Sequence, residues 1–506
     1  MPPARATPPA SSSAPRFGLR QQIGAVLGPL VLILTWTLPA PAGMSDEAWR
    51  TVGVAGLMAI WWISETVPIP VTALLPIVLF PLGGLAPIKE VMPPYANPIV
   101  FLFLGGFLLA LAMERTGLHR RIAFGLIGVL GLRPRRIIAG FLMTAALLSM
   151  WVSNTATALM MLPIAISVIA LLPEELRDKP ENRAFATALL LAVAYGATTG
   201  GMGTLIGTPP NALLAGFMAR SYDITIGFGQ WMMIGVPVVL IALPIVYLVL
   251  TRFVFQVGEK PMAAVGELIA SERAKLGLFQ GAERTVAIVF SLTALCWVFR
   301  PLLADFVPML NDTTIAIAGA FVLFLLPDRD RPGQPIMNWA TARALPWDVL
   351  LLFGGGLSLA GRIQSSGLSV WLGDQTAGLG GLPVILIVAI LCFGILMLTE
   401  LTSNTATAAT FLPVIAAVAI SLGQHPMLLL APTALAANCS YMMPVGTPPN
   451  AIVFGSGSIT LPQMAKTGLW LNLLLVPIIV GVLWLLGPLV FGIEVNVLPD
   501  WAIVTP

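Results

Sequence analysis

The groups in this sequence best suited to chemistry are neutral oxygens and amides, and they are placed twice. The string Ser-Asn-Thr-Ala-Thr-Ala occupies Ser153 to Ala158 and again Ser403 to Ala408, an offset of 250 positions. Each copy is followed downstream by Gly-Thr-Pro-Pro-Asn, at Gly207 to Asn211 and at Gly446 to Asn450. Ser, Asn and Thr side chains compete with helix continuation by bonding nearby backbone, and paired prolines stop a helix outright. An interrupted helix frees carbonyls that, with Ser and Asn oxygens, suit a small hard cation. The N–H groups at the start of the next half-helix suit an anion. One such motif alone is equally well a kink whose hydroxyls are satisfied internally, whereas two matched pairs favour a binding site built from internal repeats. No Lys, Arg or His lies within these motifs, so an anion held there requires bound cations to neutralise it.

The elements that must position these groups are apolar helices. Hydrophobic residues make up 57% and charged residues 10% of 506 positions, with mean hydropathy +0.92. A soluble domain carries roughly 25% charged residues. Helix-length apolar runs without strand alternation predict an all-α polytopic membrane protein rather than a barrel. About eleven spans are expected, roughly 23–40, 50–64, 68–84, 137–172, 184–219, 231–255, 284–304, 312–327, 382–421, 427–458 and 468–492. Segments 137–172 and 382–421 exceed one crossing of about 20 residues and hold their polar strings near the middle, so a break is expected there. Glycine-rich segments at about 98–118 and 348–371 read as two re-entrant hairpins. Gly105 and Gly106 map onto Gly355 and Gly356 with the same offset of 250, as do Pro163 onto Pro413 and Ser149 onto Thr399.

The duplication divides the chain into a disordered tail (1–22), a first span (23–49), repeat one (50–220), a linking span with a polar loop (221–283), repeat two (284–460) and a last span with the C-terminus (461–506). Basic residues clustered at Arg115, Arg120, Arg121, Arg133, Arg135 and Arg136 place that end of repeat one in the cytoplasm. The weaker basic flank of the second glycine-rich segment agrees with inverted repeats. The net charge of +3 is small and scattered, which argues against nucleic acid. Cys296, Cys392 and Cys439 have no metal-like spacing, and no nucleotide or redox fingerprint is present, so neither ATP-driven transport nor an enzyme is supported.

Together with Glu65-Thr66-Val67-Pro68-Ile69-Pro70-Val71-Thr72-Ala73-Leu74-Leu75-Pro76, these motifs make the chain resemble, over nearly its whole length, the divalent-anion/sodium symporters, which include the sodium-coupled di- and tricarboxylate transporters. The resemblance implies eleven transmembrane helices plus two hairpins, scaffold and transport domains, a homodimer, and an elevator mechanism. Its first sodium site maps to Ser149, Ser153, Asn154 and the backbone at Gly207, and its second to Thr399, Ser403, Asn404 and the backbone at Gly446. Its substrate contacts map to Asn154, Thr155, Thr208, Ser403, Asn404, Thr405, Thr447 and Pro448. The implied activity is sodium-coupled uptake of C4-type dicarboxylates such as succinate, malate or fumarate across the plasma (inner) membrane. The alternatives are a sodium-independent dicarboxylate exchanger, or transport of citrate or sulfate. Glu400, beside Thr399, is expected either to tune the second cation site or to receive backbone donors. For Arg362, an ion pair or a snorkelling role outweighs substrate binding.

Overall fold

The computed structural model describes residues 18–172, 179–259, 262–376 and 381–502. Positions 1–17 of the expected tail lie outside these, and helix is already established at Leu19. The described chain is helical, in the order α1 (Leu19–Thr37), α2 (Asp46–Ser64), two short pieces at Ile69–Thr72 and Leu75–Leu82, α3 (Pro98–Thr116), α4 (Leu118–Leu130), α5 (Pro134–Ser149), α6 (Asn154–Ala170), α7 (Pro180–Gly201) and α8 (Pro209–Tyr222). Then follow α9 (Phe228–Leu248), α10 (Ala263–Lys275), α11 (Gly281–Val298), α12 (Asp312–Leu325), α13 (Trp347–Ser365), α14 (Leu368–Thr376), α15 (Val384–Thr399), α16 (Asn404–Ser421), α17 (Pro426–Asn438), α18 (Pro448–Phe454) and α19 (Leu461–Phe491). Seven helices among the described residues are long and apolar enough to cross a membrane.

The chain turns back on itself at the Ser-Asn-Thr strings, not at the glycine-rich segments. Added side-chain carbons at Gly196 and Gly200 of α7 would meet the carbonyls of Leu142 and Ala146 in α5 at 2.5 and 2.1 Å, so α5 and α7 run parallel with their backbones touching. The intervening α6 must therefore run the opposite way to bring the chain back to the start of α7. Its 17 residues, like the 16 of α5, span about 25 Å. In repeat two, α17 follows α16 after a four-residue connection, and the Thr399 hydroxyl at the end of α15 donates 2.9 Å to the Ala437 carbonyl at the end of α17. Hence α15 and α16 are also antiparallel arms, with Ser403 at their tip.

The segments expected as hairpins are instead single helices of 19 residues, α3 and α13, each ending in a positive-φ glycine, Gly117 or Gly367. After the bend, α4 packs on α5 and α10, and α14 packs on α16, rather than folding back as second arms. The glycines serve close packing: Gly105 abuts the backbone of Ala316 in α12, and Gly355 abuts that of Ala73. Phe103 and Phe353, related by the repeat offset, meet edge to face with centroids 4.9 Å apart, so α3 and α13 touch at corresponding positions. The polar loop after α9 carries the surface helix α10, and ion pairs tie the loop, α10 and the start of α11 to the basic end of repeat one: Arg135–Glu259 (2.6 Å), Arg120–Glu272 (3.6 Å) and Arg121–Glu283 (2.7 Å). Arg362 of α13, buried, pairs with Glu47 at the start of α2.

Candidate substrate and cation site

Each Ser-Asn-Thr helix packs against the Thr-Pro-Pro-Asn helix of the other repeat, α6 on α18 and α16 on α8. That exchange brings four helix starts to one place. A cavity of about 720 Å³ opens there, lined by Asn154, Thr155, Thr208, Ser403, Asn404, Thr405, Thr447 and Pro448, all eight residues expected to face substrate. Ser153, Gly207 and Gly446 line it as well, while Ser149 and Thr399 are fully buried behind the tips.

The two tips are built alike. The Ser149 hydroxyl contacts Asn154 Oδ1, and the Thr399 hydroxyl lies 2.7 Å from Asn404 Oδ1. In repeat one, a side-chain carbon added at Gly201 would sit 2.7 Å from Asn154 Oδ1 and 3.2 Å from the Gly207 carbonyl, so only glycine leaves these two oxygens facing one small space. Asn211 Nδ2 donates to the carbonyls of Gly201 (3.2 Å) and Thr204 (2.8 Å), and Asn450 Nδ2 donates to those of Ser440 (3.1 Å) and Met443 (3.0 Å). The closing asparagine of each Gly-Thr-Pro-Pro-Asn motif thus braces the loop that precedes it.

The halves also differ. The Ser153 hydroxyl accepts 3.2 Å from Ala156 N and caps α6, whereas Ser403 makes no cap bond to α16. Thr447 caps α18 by accepting from Asn450 N at 3.4 Å, while the Thr208 hydroxyl is buried without a partner among the described residues. At the place where repeat one has Met150, repeat two carries Glu400, 3% exposed. Its carboxylate accepts from Ser440 Oγ (3.1 Å), Tyr441 N (2.8 Å), Met442 N (3.0 Å), Met443 N (3.1 Å) and Asn472 Nδ2 (2.7 Å). Of the two expectations for Glu400, the backbone-donor one describes these contacts.

Chemically, the cavity pairs helix starts, which suit an anion, with hydroxyl, amide and carbonyl oxygens, which suit a cation. Among the described residues neither Lys, Arg nor His lines it; Glu65, Glu114 and Asp348 do. Pro209, Pro210, Pro448 and Pro449 remove the first amide donors of α8 and α18. The N–H groups at the start of α6 that the Ser153 cap leaves over, those at the uncapped start of α16, and the Thr155 and Thr405 hydroxyls are donors of the kind that bind an anion. The sequence reading had not singled out Asn438, which ends α17 and also lines the cavity. The signal was an isolated amide closing the apolar run Leu428 to Ala437. Phe103 and Phe107 of α3 supply an apolar wall.

Repeated discontinuous helices that bring hydroxyls and amides to one cavity inside an apolar bundle define a membrane transporter. The chain belongs to the sodium:sulfate symporter family, whose transmembrane region matches residues 21–493. It is 43% identical over 488 residues to the sodium-dependent dicarboxylate transporter SdcS of Staphylococcus saprophyticus, a match covering 95% of this chain and 94% of that protein. It is equally 43% identical, over 490 residues and with the same coverage of 95% and 94%, to the protein of that name from Staphylococcus aureus strain USA300. Among solved structures, the YdaH transporter of Alcanivorax borkumensis has the same fold at a TM-score of 0.53 and 16% identity, covering 94% of this chain and 99% of that one. MtrF of Neisseria gonorrhoeae matches at a TM-score of 0.53 and 12% identity, covering 92% and 94%.

Proposed function

We propose that this protein is a plasma-membrane symporter that couples sodium entry to uptake of C4-type dicarboxylates. What carries the reading is one arrangement: paired helix starts and paired hydroxyl-amide tips around a cavity of about 720 Å³ whose lining, among the described residues, holds no cationic side chain. A doubly charged guest entering past Glu65, Glu114 and Asp348 meets net repulsion until cations occupy the tips. Sodium at Ser149, Ser153, Asn154 and Gly207, and at Thr399, Ser403, Asn404 and Gly446, supplies that charge and so binds before the anion. The carboxylates then meet Asn154 and Thr155 on one side and Ser403, Asn404 and Thr405 on the other, with Thr208, Thr447 and Pro448 closing the pocket. Two sodium ions balance one dicarboxylate. A third makes the cycle electrogenic, worth about 2.3 kcal/mol per net charge for each 100 mV.

We further propose that both hairpins, with α7–α9 and α17–α19, move as one body against a dimeric scaffold containing α1–α3 and α11–α13, an elevator motion. The names of the 43%-identical relatives support the ion and substrate class.

The test is succinate uptake into proteoliposomes with sodium replaced by choline. Uptake that collapses without sodium is the expected result; unchanged uptake rejects symport in favour of exchange. Thermal stabilisation across succinate, malate, fumarate, citrate and sulfate, with and without sodium, then ranks the substrates.

A further inference from the structure

One buried amide reaches both candidate cation sites. Asn438, 1% exposed, donates its two amide hydrogens at 2.9 Å to Asn211 Oδ1 and at 3.0 Å to the Ala434 carbonyl. Turned the other way, its oxygen would face two acceptors, so its partners dictate its orientation. Asn211 is the brace of the first loop, holding Gly201 and Thr204, and Gly201 lies against Asn154 Oδ1 and the Gly207 carbonyl. On its other side, the Asn438 carbonyl accepts from Asn404 Nδ2 at 3.5 Å, and the neighbouring Ala437 carbonyl accepts from the Thr399 hydroxyl at 2.9 Å. Its side chain therefore holds the loop of the first site, while its carbonyl and that of Ala437 before it meet Asn404 and Thr399 of the second.

The Asn438–Asn211 bond has no counterpart at the corresponding positions of the two repeats. The two Gly-Thr-Pro-Pro-Asn motifs are 239 positions apart, which puts Thr199 where Asn438 stands in repeat two. The Thr199 hydroxyl bonds the Tyr441 hydroxyl at 3.0 Å, and Asn450 Oδ1 stays buried with no partner among the described residues. Repeat symmetry alone thus does not account for the Asn438–Asn211 bond.

We propose that Asn438 is a positioning residue that couples the two cation sites, so that filling one favours filling the other. This rests on the sodium-coupled reading above. A cation at the first site draws the Gly207 carbonyl and Asn154 Oδ1 toward itself and tightens the loop that Asn211 braces. The Asn211–Asn438 bond carries that constraint to the end of α17, which orders the carbonyls behind Thr399 and Asn404. Because coupling is reciprocal, occupation of the second site stabilises the first by the same factor.

The experiment is a sodium titration of the full-length protein in nanodiscs without substrate, read by sodium-dependent thermal stabilisation at constant ionic strength with choline. The wild type is expected to give a Hill coefficient clearly above one. Asn438→Ser keeps a hydroxyl able to bond the Ala434 carbonyl one turn back but too short to reach Asn211. It should lower the Hill coefficient to about one and raise the half-saturating sodium concentration severalfold. A merely structural loss lowers the baseline melting temperature without changing the steepness of the titration. Asn438→Thr, which installs the residue type of Thr199, serves the same comparison should the serine variant fold poorly. A wild type that binds sodium without cooperativity, or variants as steep as the wild type, would overturn the coupling alone. A wild type with no sodium response overturns the sodium-coupled reading and this proposal with it.

Discussion

At the scale of single residues, neutral groups have to do what charges do elsewhere, so geometry is critical and small changes are costly. Asn154 and Asn404 present side-chain oxygens to the tip hydroxyls, Asn404 at 2.7 Å. Asn154→Ala and Asn404→Ala should each abolish sodium-dependent succinate uptake in protein that still elutes as a folded species; near-wild-type activity in both refutes the site assignment. Gly201→Ala is the complementary prediction. A methyl there falls 2.4 Å from Thr208 Cγ2 and 2.7 Å from Asn154 Oδ1, so uptake should drop by tenfold or more, with sodium affinity falling first. The strings were legible in the sequence because their residue types are so unlike the apolar background. Asn438 was not, because a lone amide at a helix end acquires meaning only from the partners that tertiary packing brings to it.

At the scale of elements, the question is what keeps an interrupted helix from collapsing onto lipid. In repeat two the answer is Glu400, whose carboxylate receives three consecutive main-chain N–H groups and two side chains. Bonds to a charged acceptor contribute about 1.5 to 3 kcal/mol each, and removing the acceptor leaves the donors buried and unpaired. Glu400→Ala should therefore lower the melting temperature markedly and loosen the Ser440 to Met443 loop, checked by thermal shift and by protease sensitivity at that loop. Glu400→Gln, which keeps one carbonyl oxygen, should fall between. The helix breaks at the strings were readable from segment length and residue type. Whether the chain goes on across the bilayer or turns back was not, since both are compatible with 36 apolar-rich positions from 137 to 172. The parallel contact of Gly196 and Gly200 with Leu142 and Ala146 decided it. The glycine clusters of α3 and α13 misled for a related reason: glycine marks close backbone approach as well as turns, and here it permits helix contact.

At the scale of the whole molecule, two repeats interlock so that neither half encloses the cavity by itself. Phe103 and Phe353 lock α3 to α13 where corresponding positions meet. Phe353→Ala, at a site with no exposed surface, should cost about 3 to 5 kcal/mol of stability, with a larger loss of uptake than of sodium affinity because the tips are untouched. A second expectation follows from the absence of a cationic side chain from the cavity lining among the described residues: dicarboxylate should raise the melting temperature only when sodium is present, and stabilisation by succinate in choline alone would contradict it. The sequence by itself determined the membrane-embedded helical class, the duplication, and the motif residues with their pairing between the two halves, because these are properties of composition and order along the chain. Only the tertiary structure decided where the hairpins turn, which loop each asparagine braces, that Glu400 is a brace, and that the tip helices exchange partners between repeats. Those outcomes depend on backbone close-packing and on hydrogen-bond partners far apart in sequence, neither of which leaves a local pattern to read.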